Sequence, residues 1–139
     1  MKRILSSAWH EILRFDENED VLGGILEFAG KHKIESAWLS AIGSSKEIEL
    51  GFYHLDKKEY ANKVFSETLE LVELSGILAL TEEKQTLHLH GSFSRPDYST
   101  IGGHVQRLIA NATVEVFIHK LNEPLTRKKD PETGLKLLD

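Results

Sequence analysis

Only one segment of this chain has the apolar spacing of a helix, and that fact constrains the fold more than any other. Apolar residues recur at i, i+4, i+7 and i+8 within the segment 21–29, which is the spacing of an amphipathic helix. Acidic residues dominate the segment 16–20 before it and basic residues the segment 31–33 after it, an arrangement that complements the helix macrodipole. We predict one principal helix here, and we expect Gly23 and Gly24 to let it approach a sheet closely.

Most of the remaining chain shows the alternating or continuous apolar patterns of β-strands. We predict six to eight strands joined mostly by short turns, and therefore an α+β domain with a mainly antiparallel sheet packed against the helix. Residues 94–103 are predicted to form a loop between two of these strands. The predicted strands include residues 4–15, 34–42, 47–54, 65–80, 85–93 and a last core strand through Val114, Val116 and Ile118.

The charge of the chain argues against a broad nucleic-acid-binding surface. Its 22 acidic and 17 basic residues give a formal net charge of −5, whereas proteins that neutralise phosphates usually carry a basic excess. The one basic cluster, at residues 127–129, falls in a segment with two prolines and many charges. We predict that residues 123–139 form a charged, solvated C-terminal tail.

The composition also limits the chemistry and the compartment. The absence of cysteine excludes disulfides, thiolate metal ligands and cysteine nucleophiles. No apolar run approaches the ~18 residues of a membrane span, and the N-terminal residues lack the apolar region of a signal peptide. We therefore expect a cytoplasmic protein without a membrane partner.

Three histidines form the candidate functional site. His88 and His90 lie on one face of a predicted strand, about 6.6 Å apart along it. This spacing allows both imidazoles to bind one metal ion at about 2.0–2.1 Å. His104 follows two glycines in the next segment and would complete a three-histidine site with one open position. Neutral imidazole suits divalent transition metals, of which we expect zinc. The alternative is an ordinary polar strand face, hydrogen-bonded to neighbours or to a second subunit.

The sequence assigns no catalytic residue. A metal held by three histidines could activate a bound water, but that chemistry needs a nearby acid or base. Glu70, Glu73 and Asp97 are the available carboxylates, and none has a diagnostic spacing to the histidines. The phosphate-binding, dinucleotide-binding and nucleophile-elbow patterns are all absent.

Short stretches of the sequence resemble the plant-and-prokaryote-conserved (PPC) domain over about residues 13–120. The most specific of them is the Ile-Gly-Gly-His segment that ends at His104. The stretches are residues 39–44 (LSAIGS), 69–76 (LELVELSG), 87–93 (LHLHGSF), 101–104 (IGGH) and 112–116 (ATVEV).

This resemblance implies a PPC-like domain over residues 1–122 that assembles as a homotrimer. It also implies a metal site at His88, His90 and His104, the positions that match such a site in prokaryotic relatives. Plant members carry AT-hook motifs that bind DNA, and stand-alone prokaryotic members are called DNA-binding or regulatory by that kinship. No Arg-Gly-Arg-Pro core of an AT-hook occurs here.

Two functions therefore follow as expectations. The first is a trimeric metal-binding module without an assigned enzymatic activity. The alternative is a small three-histidine metalloenzyme, a hydrolase or lyase that acts on a small polar substrate. DNA remains a partner that the family name implies but the charge does not support.

Overall fold

The computed structural model describes all 139 residues and contains one helix and nine strands. The helix, α1, spans Val21–His32. No helix is long and apolar enough to cross a membrane. The strands are β1 (Lys2–Ser6), β2 (His10–Asp16), β3 (Ala37–His54), β4 (Glu59–Phe65), β5 (Leu69–Thr81), β6 (Lys84–Ser94), β7 (Thr100–Lys120), β8 (Thr126–Lys129) and β9 (Lys136–Leu138).

Helix α1 begins and ends where its sequence predicts. The Asp20 side chain caps the N-terminus by accepting a hydrogen bond from the Gly23 backbone at 3.2 Å. The helix ends at His32, and the next residue, Lys33, caps it with a left-handed backbone. A side chain at Gly24 would overlap the Phe15 ring, so this glycine allows the helix to approach β2 closely. The helix buries Val21, Ile25, Phe28 and Ala29 against the sheet.

All nine strands belong to one mainly antiparallel sheet that curls onto itself. β7 lies between β2 and β3, which makes α1 the crossover between two parallel strands. β3 also pairs with β5, β5 with β6, and β6 with β7. Strands β3, β5, β6 and β7 therefore close a ring of hydrogen-bonded strands. The hydrophobic core lies between the inner face of this sheet and the helix.

Two long strands run through segments that were predicted to interrupt them: the gap between the predicted strands 34–42 and 47–54, and the predicted loop 94–103. β3 runs through Gly43, where a positive φ and shifts in register let the strand continue while it stays paired with β5 and β7. β4 replaces β5 as its neighbour from Ile48 onward. β7 already begins at Thr100, so the second part of the predicted loop 94–103 is a strand paired with β6. Both predictions were wrong for the same reason. Gly43 in β3 and the glycine pair 102–103 in β7 are typical of chain breaks in sequence, but hydrogen bonds to neighbouring strands keep them in extended strands.

The number of strands also exceeds the prediction. Residues 4–15 do not form one strand but belong to a hairpin of β1 and β2. In the tight turn between these strands, the Ser7 hydroxyl accepts a hydrogen bond from the His10 backbone at 2.9 Å. At the other end of the chain, β8 pairs in parallel with β5, and β9 pairs with β8. The segment 123–139 is thus anchored to the sheet edge.

A buried ion cluster ties the N-terminal hairpin to the last long strand. The Glu11 carboxylate is 2% exposed; Arg3 on β1 donates to it at 2.8 and 2.9 Å, and Lys120 on β7 at 2.9 Å. Burial alone would raise the pKa of Glu11, but the hydrogen bonds from Arg3 and Lys120 outweigh it and lower the pKa from 4.5 to about 2. The ionised carboxylate therefore stabilises the fold.

The substitution Glu11→Gln is expected to lower the free energy of unfolding at pH 7 by about 1–3 kcal/mol, because two cations lose their charged partner. Since the pKa of Glu11 is lower in the folded chain, the stabilisation is complete above about pH 4.5 and is lost as the pH falls toward 2. Urea unfolding between pH 7 and 2 should show the difference between variant and wild type shrink over that range. The exposed Glu17→Gln variant serves as the control, and equal stabilities of both variants would contradict the assignment.

Candidate metal centre

The alternation of strand β6 places two histidines on its outer face. Leu89 is buried in the core, whereas His88 and His90 on either side of it are exposed. The centroids of these two imidazole rings are 5.2 Å apart. The prediction that both side chains share one face is thus confirmed by the structure.

The third histidine comes from the adjacent strand. His104 on β7 lies directly opposite His90 on β6 in antiparallel register, so their side chains point to the same side. Its ring centroid is 5.2 Å from that of His88 and 5.5 Å from that of His90. One nitrogen from each of the three rings lies within 4.8 Å of the other two. A metal ion held by three such nitrogens would lie about 2.0–2.1 Å from each of them.

The close approach of β6 and β7 depends on the glycine pair before His104. An added Cβ at Gly102 would lie 2.7 Å from the backbone oxygen of Gly91 on β6, closer than carbon and oxygen pack without strain. Gly103 pairs with Gly91 in the same ladder. The glycines of the Ile-Gly-Gly-His segment therefore allow the pairing that brings His104 to the other two histidines.

The environment of His88 and His104 favours the neutral form of both imidazoles. Burial, followed by the nearby His88 and His90, lowers the pKa of His104 to about 4. Burial, Arg127 and His90 also lower the pKa of His88. The Nδ1 atom of His104 is buried and has no hydrogen-bond partner, and neutral imidazole nitrogens are the form that binds metals. Three converging histidines, one with an unused buried nitrogen, fit a transition metal.

Residues outside the three histidines complete the surroundings. The Tyr60 ring packs on His104 with centroids 5.1 Å apart. Burial, with a smaller effect of Tyr53, raises the pKa of Tyr60. The Arg127 side chain from β8 reaches His88, with its Nη2 atom 3.4 Å from Nδ1 of that ring. Neither Tyr60 nor Arg127 could be assigned to the site from the sequence, because nothing in the local pattern links β4 or β8 to the histidine strand.

The three carboxylates considered from the sequence as a possible acid or base lie outside the histidine cluster. Glu70 and Glu73 are exposed on β5, and Asp97 accepts hydrogen bonds from Ser99 in the loop before β7. None of the three joins the histidine cluster or lines the cavity beside it. Glu59 does line that cavity, and it was not singled out from the sequence.

Comparison with known families identifies the fold. A family model described as the Plants and Prokaryotes Conserved domain matches residues 8–122. The chain belongs to this family. The resemblance drawn from residues 39–44, 87–93 and 101–104 is therefore confirmed, and so is the expectation of an antiparallel sheet with a single helix. None of the curated proteins matches this PPC-domain chain.

Three solved structures are similar to this PPC-domain protein over nearly its whole length. A metal-containing protein from Archaeoglobus fulgidus is 33% identical, with a TM-score of 0.89 over 99% of each chain. A "putative DNA-binding protein" from Bacteroides thetaiotaomicron is 27% identical, with a TM-score of 0.93 over 97% of this chain and 94% of that one. A PPC protein from Pyrococcus horikoshii is 25% identical, with a TM-score of 0.86 over 98% and 97%.

The substitution Gly102→Ala is expected to lower the free energy of unfolding by about 1–3 kcal/mol, because the added methyl group overpacks the β6–β7 ladder. Urea denaturation measures this loss. The control is Gly30→Ala in α1, where an added Cβ meets only the end of the Gln85 side chain at 3.5 Å and improves helix propensity. A Gly102→Ala protein as stable as the wild type would contradict the role given to this glycine.

Proposed function

We propose that this protein is a trimeric metal-binding module of the PPC-domain family, with His88, His90 and His104 as the metal ligands. The observation that carries the proposal is the convergence of the three imidazoles, with one nitrogen from each within 4.8 Å of the others. Zinc is the ion we expect, because neutral imidazole suits it and no thiolate is available.

Two further observations support the metal site. The pKa values of His88 and His104 are lowered, so that both rings are unprotonated and free to ligate at neutral pH. The similar protein from Archaeoglobus fulgidus is described as metal-containing. When bound, a metal held by three histidines supplies a Lewis-acid centre with one coordination position open to another ligand.

DNA binding receives less support from the residues of this chain. The similar Bacteroides protein carries a DNA-binding description, but the net charge of this chain is −5. Self-association multiplies that negative charge and opposes a broad phosphate-binding surface. We therefore do not propose DNA as the principal partner.

A hydrolase or lyase activity also receives less support, because no carboxylate belongs to the histidine cluster as an acid or base. Of the acidic side chains, only Glu59 lines the cavity next to the histidines, and it does not belong to the histidine cluster. Water activation at the metal would need a carboxylate within hydrogen-bond reach. The proposal is therefore a binding function rather than a defined reaction.

The trimer is supported by an exposed apolar strip on the outer face of the sheet. Trp38 and Ile42 of β3 are 47% and 56% exposed, and Phe117 of β7 is 40% exposed. Alternation and register put all three on the same face, since Phe117 lies opposite Ser40 between the other two. We propose that other copies of this chain cover this face in the homotrimer that the family resemblance implies.

Chelator-treated wild-type protein is expected to take up about one zinc ion per chain, measured by calorimetric titration and elemental analysis. Replacing His88, His90 or His104 by Ala should each weaken zinc binding by about 100-fold or more, because losing a group that merely orients a ligand already costs 10–100-fold. His119→Gln, an exposed histidine of β7 outside the cluster, should bind zinc like the wild type. Absence of zinc binding by the wild type would refute the metal site.

Light scattering coupled to gel filtration is expected to give about three times the 15.7 kDa mass of the chain. Ile42→Lys should shift the population toward smaller species, because it places a charge in the apolar strip. The control Tyr98→Glu changes an aromatic residue that is 87% exposed in a loop and should leave the mass unchanged. A monomeric wild type at micromolar concentration would contradict the trimer.

A further inference from the structure

A cavity of about 410 Å³ opens beside the histidine cluster, within the range of small-molecule sites. His88 and His104 form part of its wall, so that a molecule in the cavity would lie against the proposed metal ligands. Strands β8 and β9 supply another wall, which places the C-terminal segment of the chain at the site.

Arg127 is held in this cavity by one end of its guanidinium group. Its Nη1 atom donates a hydrogen bond to the Lys136 carbonyl oxygen on β9 at 3.0 Å. Its Nε atom is buried and has no partner, and the single contact of its Nη2 atom is Nδ1 of His88 at 3.4 Å. The edge formed by Nε and Nη2 therefore depends on one long contact with a proposed metal ligand.

Metal binding removes that contact whichever nitrogen of His88 is used. If Nδ1 binds the metal, its lone pair no longer accepts a hydrogen bond. If Nε2 binds the metal, Nδ1 carries the proton and becomes a donor. The Nε and Nη2 donors of Arg127 are then both without a protein acceptor. Nε is buried, and an unsatisfied buried donor is costly, whereas Nη2 faces the cavity. A carboxylate matches this pair of parallel donors in a bidentate arrangement.

The rest of the cavity wall favours a small organic anion over an inorganic one. Arg127, Lys58 and Lys136 bring three positive charges, against the one negative charge of Glu59. Apolar side chains complete the lining, which suits a ligand with a short hydrocarbon part. These apolar residues include Leu87, Leu135 and Leu137.

We propose that the cavity binds a small organic acid, whose carboxylate pairs with Arg127 and whose oxygen on the neighbouring carbon faces the three-histidine cluster. We infer adjacent carbons because Nη2 of Arg127 lies 3.4 Å from Nδ1 of His88, so that a carboxylate on Arg127 would lie next to the histidine cluster and leave room for only a short spacer between the two oxygen groups. This inference rests on the proposed metal site, because the metal is what frees Arg127 and offers the open position.

The test compares ligands on zinc-loaded and cobalt-loaded protein. Lactate carries a carboxylate next to a hydroxyl, propane-1,2-diol lacks the carboxylate, and inorganic phosphate lacks the hydrocarbon part. Calorimetry with the zinc form and visible absorption of the cobalt form report binding without any assay of activity. Lactate is expected to bind at least about tenfold more tightly than the diol or phosphate.

Variants at Arg127 separate its role from a general effect of charge. Arg127→Gln is expected to weaken lactate binding by about tenfold or more while it leaves the zinc content at one per chain. Arg127→Lys keeps the charge and the aliphatic stem but loses the two-donor edge, so it should also weaken lactate binding, by at least about threefold. Lys129→Gln removes an exposed charge of β8 outside the cavity and should bind lactate like the wild type. Thermal unfolding verifies that each variant is folded.

The outcomes distinguish failure of the organic-acid proposal from failure of the metal-site proposal. If wild-type protein binds zinc but lactate binds equally well to the wild type and to both Arg127 variants, the organic-acid proposal is overturned and the metal site stands. Phosphate binding tighter than lactate binding would also overturn it. If the wild type binds no zinc, both proposals are overturned.

Discussion

The pairing of β6 with β7 is the interaction on which the candidate site depends. Those two strands pair only over residues 90–94 and 100–104, yet this short ladder closes the ring formed with β3 and β5. The same ladder sets His90 opposite His104. Without it, His104 would still pair with β3 but would not be held opposite His90, and the chain would offer a histidine pair rather than a cluster of three. Gly102 matters because a side chain there would push the two strands apart.

Several parts of the chain meet where this ring closes. β6 supplies two imidazoles, β7 the third, and β4 the tyrosine that packs on His104. The C-terminal segment supplies Arg127, which reaches the site because β8 pairs with the far end of β5. The hairpin of β1 and β2 is bound to the end of β7 by the Glu11 ion cluster, remote from the histidines. The site therefore combines histidines from the β6–β7 ladder with Arg127 from β8, a strand paired to the edge of the sheet.

The sequence predicts the parts of this arrangement that follow from local periodicity. The apolar spacing of residues 21–29 locates the helix, and the two-residue period of β6 puts His88 and His90 on one face. It does not reveal that β7 starts at Thr100, because glycines and polar residues there resemble a loop until β6 pairs with them. Nor does it place Arg127 in a cavity, since the pairing of β8 with β5 joins segments distant in sequence and leaves no local pattern.

The most direct test of the three-histidine site is a crystal structure of zinc-soaked protein, with diffraction data collected on either side of the zinc absorption edge. We expect one anomalous peak per chain, about 2.0–2.1 Å from one nitrogen each of His88, His90 and His104. A peak bound to other residues, or three histidines without a peak at saturating zinc, would contradict it.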